Sequence, residues 1–143
     1  MNILITALIA WFIAQFIKLI HYRIEYGHFN LAVMTTSGGM PSSHSSLIIA
    51  ATTRIAFTEG LQSPLFGICV VFSLIVMYDA AGVRQSVGEQ AQRLNQLQEE
   101  LKGLIAFDPD VIKEVLGHTE FQVFVGMILG LLVGGLSVFL PLA

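Results

Sequence analysis

The sequence predicts an all-α integral membrane protein, a bundle of about four transmembrane helices with one amphipathic helical connection. Three observations predict it. Of 143 residues, 55% are hydrophobic and only 12% are charged, about half the roughly 25% charge of an ordinary soluble domain. The charge-poor stretches approach the ~20 apolar residues needed to span a hydrocarbon core of about 30 Å. The polar residues able to do chemistry collect in the connections between those stretches. A single domain over residues 1–143 is the natural count at this length. The net charge of −3, with no basic tail or stripe, argues against a nucleic-acid partner. The one cysteine, Cys69, lies in an apolar run and reads as a buried structural thiol, with no partner for a disulfide or a thiolate metal site.

The first span runs over residues 2–20. Its start lacks the positive charge of a secretory signal, and Lys18 follows the apolar run instead of preceding it, so the segment reads as a retained helix. The second span covers 43–59 and is interrupted by Arg54, the third covers 64–82, and the fourth covers 121–140. Residues 60–63 form a tight turn. The two long connections, 21–42 and 83–119, then fall on one side of the membrane. Lys18, Arg23, Arg84, Arg93, Lys102 and Lys113 all fall on that side. The positive-inside rule makes it cytoplasmic, in a multi-pass protein of the cell membrane.

The connection 83–119 has its own pattern. Val87, Leu94, Leu97, Leu101 and Leu104 recur at a heptad-like period, with Glu89, Arg93, Gln96 and Glu100 elsewhere, which predicts an amphipathic helix. Such a helix lies on the membrane surface or pairs with another copy of the chain. Asp108-Pro109 reads as a cap and first turn of a short helix that ends at Gly117. Thr119 and Gln122 have capping-box spacing at the start of the fourth span. Gly126, Gly130 and Gly134 share one face of that span and predict close helix packing, within the chain or in a homodimer.

The strongest chemical signal is the run from Ser37 to Ser46, which contains Gly38, Gly39, Pro41, Ser42, Ser43 and His44. Glycines allow a tight turn and close approach to a ligand. Ser42 or Ser43 then caps a helix whose free N–H groups and positive dipole end suit a phosphate; the alternative is an ordinary Gly/Ser loop with a cap. His44 exchanges protons near neutral pH, and His118 offers a second imidazole from the other connection. One can serve as nucleophile and the other as acid and base; metal ligation is the rival, but no third ligand has matching spacing. His21 and His28 read as interfacial. Asp79 and Arg84 at the end of the third span read either as a structural pair or as an arginine that grips phosphate while the aspartate orients a basic residue. Trp11, Gln15, Lys18 and Tyr22 share a helix face, with Lys18 either inside the bundle mouth or snorkelling. Arg54 and Glu59 read as a pair away from the site.

In order along nearly the whole chain, Gly38-Gly39-Met40-Pro41-Ser42-Ser43-His44-Ser45-Ser46, Asp79-Ala80-Ala81-Gly82-Val83-Arg84 and Gly117-His118-Thr119 resemble the small divergent branch of the type 2 phosphatidic acid phosphatase superfamily, which is related to vanadium-dependent haloperoxidases. The resemblance implies a metal-independent phosphatase that works through a phosphohistidine. It assigns the nucleophile to His118, the acid to His44, and phosphate contacts to Arg84, Lys18 and the serine of the Pro41-Ser42-Ser43-His44 element. Ser43 stands where the family has Gly. Arg23 is followed by Ile24, where the family's first motif has an Arg-Pro pair. A 33-residue insert separates Arg84 from His118, where the family keeps the equivalents close. Gln122 replaces an Asp one turn after the nucleophile, which leaves Glu114, Glu120 or Asp79 to orient His118.

The function expected from these residues is hydrolysis of a lipid phosphate monoester or diphosphate, with no cofactor required and a membrane lipid as substrate. A non-catalytic lipid-phosphate binder or membrane scaffold is the alternative that Gln122 favours. A small oligomeric transporter using Asp79, Arg54 and Lys18 is the third.

Overall fold

The computed structural model describes residues 2–34, 38–102, 112 and 117–140. The regular structure of these residues is all helical, with no strand among them. Helix α1 spans Ile3–Tyr26; Asn2 caps its first turn, and Gly27, at φ 78°, ends it. A short 3-10 turn at Leu31–Met34 follows. Helix α2 covers Ser43–Glu59, the bounds expected of the second span, and Ser42 caps it. Helix α3 covers Pro64–Tyr78; Ser63 at its N-cap accepts a hydrogen bond from the Phe66 amide at 3.1 Å. A π-turn at Asp79–Val83 leads straight into α4, Arg84–Lys102. Helix α5, Glu120–Leu136, begins with the expected capping box between Thr119 and Gln122.

Among the described residues three helices are long and apolar enough to cross a membrane: α1, the combined α3–α4 rod, and α5 with its terminal 3-10 turn. Helix α2, the second of the four expected spans, is not among them at 17 residues; it is the innermost helix, in contact with α1, α3 and α5.

The distribution of side chains is inverted relative to a soluble protein. Phe12, Phe16, Ile68, Phe72, Phe124 and Leu132 face outward, each more than half exposed, while Gln15, Lys18, Ser42, Ser45, Ser46 and Thr52 are buried. A lipid surround makes this arrangement favourable. Apolar side chains lose nothing by facing hydrocarbon, whereas polar groups must find partners inside. The interior supplies them: Ser46 Oγ donates to the Ser42 and Gly126 carbonyls at 2.8 and 3.0 Å, and Thr52 shares a 2.9 Å hydrogen bond with Ser73 of α3.

The glycine stripe packs within the chain, against α2. A Cβ at Gly126 would stand 2.5 Å from the Ser42 carbonyl oxygen, one at Gly130 2.7 Å from that of Ser46, and one at Gly134 2.6 Å from Thr53 Cβ. Only glycine permits that approach.

One sequence expectation changes form. The amphipathic segment is not a separate helix starting at residue 83. It continues α3 without a break, giving a rod of 38 residues, about 57 Å long at ~1.5 Å per residue. This exceeds the ~30 Å hydrocarbon core, so α4 extends past it. Its apolar residues Val87, Leu94 and Leu97 are about half exposed. The expected short helix from Asp108-Pro109, with Leu104 and Glu114, lies outside the described residues.

Candidate active site

Four chain segments meet at one end of the bundle: the C-terminal part of α1, the N-termini of α2 and α5, and the π-turn after α3. Alternating helix direction brings them together, because connections 21–42 and 83–119 close the same end.

His118 is the centre. It is 1% exposed, and its backbone N–H donates to the Ala80 carbonyl of the π-turn at 3.0 Å. Small residues make this placement possible. A Cβ on Gly117 would fall 2.3 Å from the Gln85 amide nitrogen, so the segment before His118 lies directly against the start of α4. This close approach explains Gly117 more fully than its expected role as a helix stop.

Both ring nitrogens of His118 are buried, and neither has a hydrogen-bond partner among the described residues. Burial first, and then the positive charges of Lys18, His44 and Arg84, push the imidazole down from its ordinary 6.5 to about 4. At neutral pH it is therefore uncharged, the form able to attack an electrophile. The His44 ring stands edge-on to it, with centroids 6.4 Å apart. The two imidazoles, far apart in sequence, are neighbours as expected, although His44 itself is on the exposed side.

Arg84 donates from Nε to Asp79 Oδ2 at 2.6 Å, with both side chains nearly half exposed. Nε is the only Arg84 donor so engaged among the described residues, which leaves the guanidinium fork available to an anion. Asp79 thus orients the arginine. It makes no hydrogen bond to His118. Ile75, Val76 and Ala80 join His44, Asp79 and Arg84 around a recess of about 240 Å³ whose floor is apolar.

Lys18 is 4% exposed, so it points into the bundle and does not snorkel. Gly39, at φ 79°, packs against its stem: a Cβ there would sit 3.2 Å from Lys18 Cγ and Cδ. The glycine accordingly satisfies two demands at once, a left-handed turn and contact with the lysine. Gln15, one turn earlier, donates to the Met34 carbonyl and ties the loop to α1; the shared face was legible in the sequence, but this partner was not. Among the described residues no carboxylate pairs with Lys18.

Ser42 is fully buried. Its N–H donates to the Gln122 carbonyl at 3.1 Å, and its hydroxyl accepts from Ser45. It therefore locks α2 to α5 and caps α2. Ser43, 3% exposed, begins the helix beside it. The Gln122 side chain accepts from the Thr119 amide at 3.2 Å and so serves the helix cap. His21 and His28 are exposed, His21 beside Glu25 at 3.8 Å and His28 against the Tyr26 carbonyl. No Arg54–Glu59 ion pair forms among the described residues, and Arg54 Nε is buried without a partner. No group of three or more His, Cys, Asp or Glu able to hold a metal occurs among the described residues.

A family model described as the divergent PAP2 family matches residues 1–133. The chain belongs to that family. It is also 36% identical over 140 residues to an uncharacterized membrane protein, YuiD, of Bacillus subtilis (strain 168), an alignment covering 90% of this chain and 89% of the relative. No solved structure matches. As a divergent PAP2 membrane protein, it places Lys18, Gly39, Ser43, His44, Arg84 and His118 at one end of its bundle despite the long insert between the last two. The chain departs along α4 at Arg84, and at the far end of the insert Gly117 lies against the Arg84–Gln85 backbone and His118 donates to Ala80, which brings His118 back to the π-turn.

Proposed function

We propose that this protein is a membrane phosphatase that hydrolyses a lipid phosphate monoester or diphosphate through a phosphohistidine. The observation that carries the reading is the buried, neutral, unpartnered His118 imidazole beside His44, within the field of Arg84 and Lys18. Family membership supports it.

In this reading a His118 ring nitrogen attacks phosphorus and the bond to the leaving oxygen breaks. His44 donates its proton to that oxygen. Neutral His44 then takes a proton from water as the water oxygen attacks phosphorus; the P–N bond breaks, and inorganic phosphate and free His118 result. Arg84, Lys18, Ser43 and the Gly38–Gly39 loop stabilise charge on the phosphoryl oxygens, the dominant contribution in phosphoryl transfer. Asp79 positions Arg84. No metal enters these steps. In this reading the headgroup lies at the cytoplasmic face of the cell membrane, the side the positive-inside rule favours, with the substrate's tail among the helices.

Phosphate release from lipid phosphates by purified protein in EDTA is the test. Wild type is expected to turn over, and His118→Ala to lose roughly 10³-fold or more. Equal release by the two proteins rejects the mechanism.

One observation favours a second reading, a lipid-phosphate binder without turnover. Gln122 replaces the family's Asp and is committed to a helix cap, and no described carboxylate contacts His118. Tight binding of lipid phosphates with no phosphate release across a broad panel selects that reading.

A further inference from the structure

The first part of the long insert, α4, lines a cavity with side chains that the proposed chemistry does not use. Gln85, Glu89 and Gln92 lie on one face of α4, and with Gln122, Thr119 and the loop glycines they line an open recess of about 420 Å³, the size of a small-molecule site. The cavity adjoins the phosphate position on two sides: Gly117 precedes His118, and Gly39 packs on Lys18.

Its chemistry differs from that of the neighbouring site. No lysine or arginine lines it, so it is poorly suited to a second phosphate. Three carboxamides, one hydroxyl and one carboxylate provide closely spaced donors and acceptors. Gln85 Nε2 already donates to Glu89 at 3.2 Å, which partly satisfies that carboxylate. The Gln122 side-chain oxygen Oε1 accepts from the Thr119 amide, so its NH₂ group remains as donor. Gln92 has no partner among the described residues. Mixed donors and acceptors around one partly satisfied acid suit a neutral group rich in hydroxyls better than a cation or an anion.

We propose that this cavity binds a polyol or sugar carried on the same phosphate that His118 and Arg84 engage. The inference rests on the phosphate-site reading above and adds a specificity determinant contributed by α4. It predicts that recognition of the polar group depends on Gln85 and Gln92, whereas recognition of the phosphate does not.

Calorimetric titration of the detergent-purified protein tests this with inorganic phosphate, glycerol 1-phosphate, inositol 1-phosphate and 2-aminoethyl phosphate. The polyol phosphates are expected to bind at least tenfold more tightly than inorganic phosphate. In Gln85→Leu/Gln92→Leu, which leaves the charge unchanged, the ratio is expected to fall to within twofold while the inorganic phosphate Kd stays constant. Gln92→Leu alone should give an intermediate ratio. Titration with the same polyol phosphate borne on a lipid in mixed micelles separates two sources. Tighter binding of the lipid form assigns the group to a lipid headgroup, equal binding assigns it to a soluble ester, and both support the proposal. If inorganic phosphate binds and polyol phosphates gain nothing, or if 2-aminoethyl phosphate binds best, the cavity assignment is overturned and the phosphate site stands. If no phosphate compound binds, both are overturned.

Discussion

Helix α5 meets α2 backbone to backbone, with three glycines set against the Ser42, Ser46 and Ala50 carbonyls and Ser46 bridging the two helices. Helix α3 meets the same α2 differently. Its only buried residue is Ser73, which contacts Thr52, while Ile68, Phe72 and Ile75 face outward. The two sides of the site inherit this difference. Ser42, at the head of α2, is held by α5, and the segment leading from α5 carries His118. Arg84 hangs on a rod attached by fewer contacts and is steadied by an exposed aspartate. An arrangement of this kind fixes His118 and leaves Arg84 adjustable.

The largest expected effect breaks the tight seam. Gly130→Leu would drive a side chain into the Ser46 carbonyl and Ile49, an overpacking cost of about 3 kcal/mol or more against a total stability of order 5–15 kcal/mol. Loss of monodisperse protein in detergent is expected. Gly67→Leu on α3, where a Cβ meets nothing within 4 Å, should leave the protein intact. Equal tolerance of both would remove the contrast between the helices.

Next in size is Gly117→Ala. The added methyl collides with the Arg84–Gln85 backbone and displaces His118. Since a misplacement of ~1 Å can cost about 100-fold in rate, a drop of about that size in phosphate release is expected, with unchanged size-exclusion behaviour. A full rate would mean that the close approach does not set the nucleophile.

How much of this was legible follows from what each residue type can reveal alone. The glycine spacing on α5 marked a packing face, because small residues at a four-residue period have few other uses; its partner, α2, required the tertiary structure. His44 and His118 were identifiable from their motifs. The isolation of the His118 ring was not, since burial depends on three other segments. Lys18 allowed two readings because a lysine near a helix end can point either way, and the Gly39 contact resolves them. The continuity of α3 into α4 was missed because Asp79 and Arg84 signal a membrane boundary in composition, whereas the backbone passes through them as a π-turn. The sequence Asp79-Ala80-Ala81-Gly82, small and without a breaker such as Pro, was the available clue.

The buried side of the site makes a prediction about protons. With its imidazole pushed down to about 4, His118 stays neutral throughout the neutral range and takes up a proton only near that value. A group whose folded pKa lies below its unfolded value contributes stability above the unfolded pKa. That contribution is lost as pH falls, here from about 6.5 to about 4. NMR of ring-labelled histidine, assigned with His118→Asn, should show a midpoint near 4 that moves upward when vanadate binds, because a nearby anion favours imidazolium. A midpoint near 6.5 without vanadate would mean that the ring is solvated.

The exposed side gives the smallest effect. Asp79→Asn removes the charge that steadies Arg84 while keeping a hydrogen-bonding group of similar shape. Exposed pairs of this kind contribute about 1 kcal/mol at most, so KM should rise roughly fivefold or less, with kcat nearly constant and the rise diminished in high salt. The split between KM and kcat is the informative part. Were Asp79 to act on His118 instead, kcat would fall by orders of magnitude at unchanged KM, and the aspartate would belong with the buried half of the site, not with the adjustable arginine.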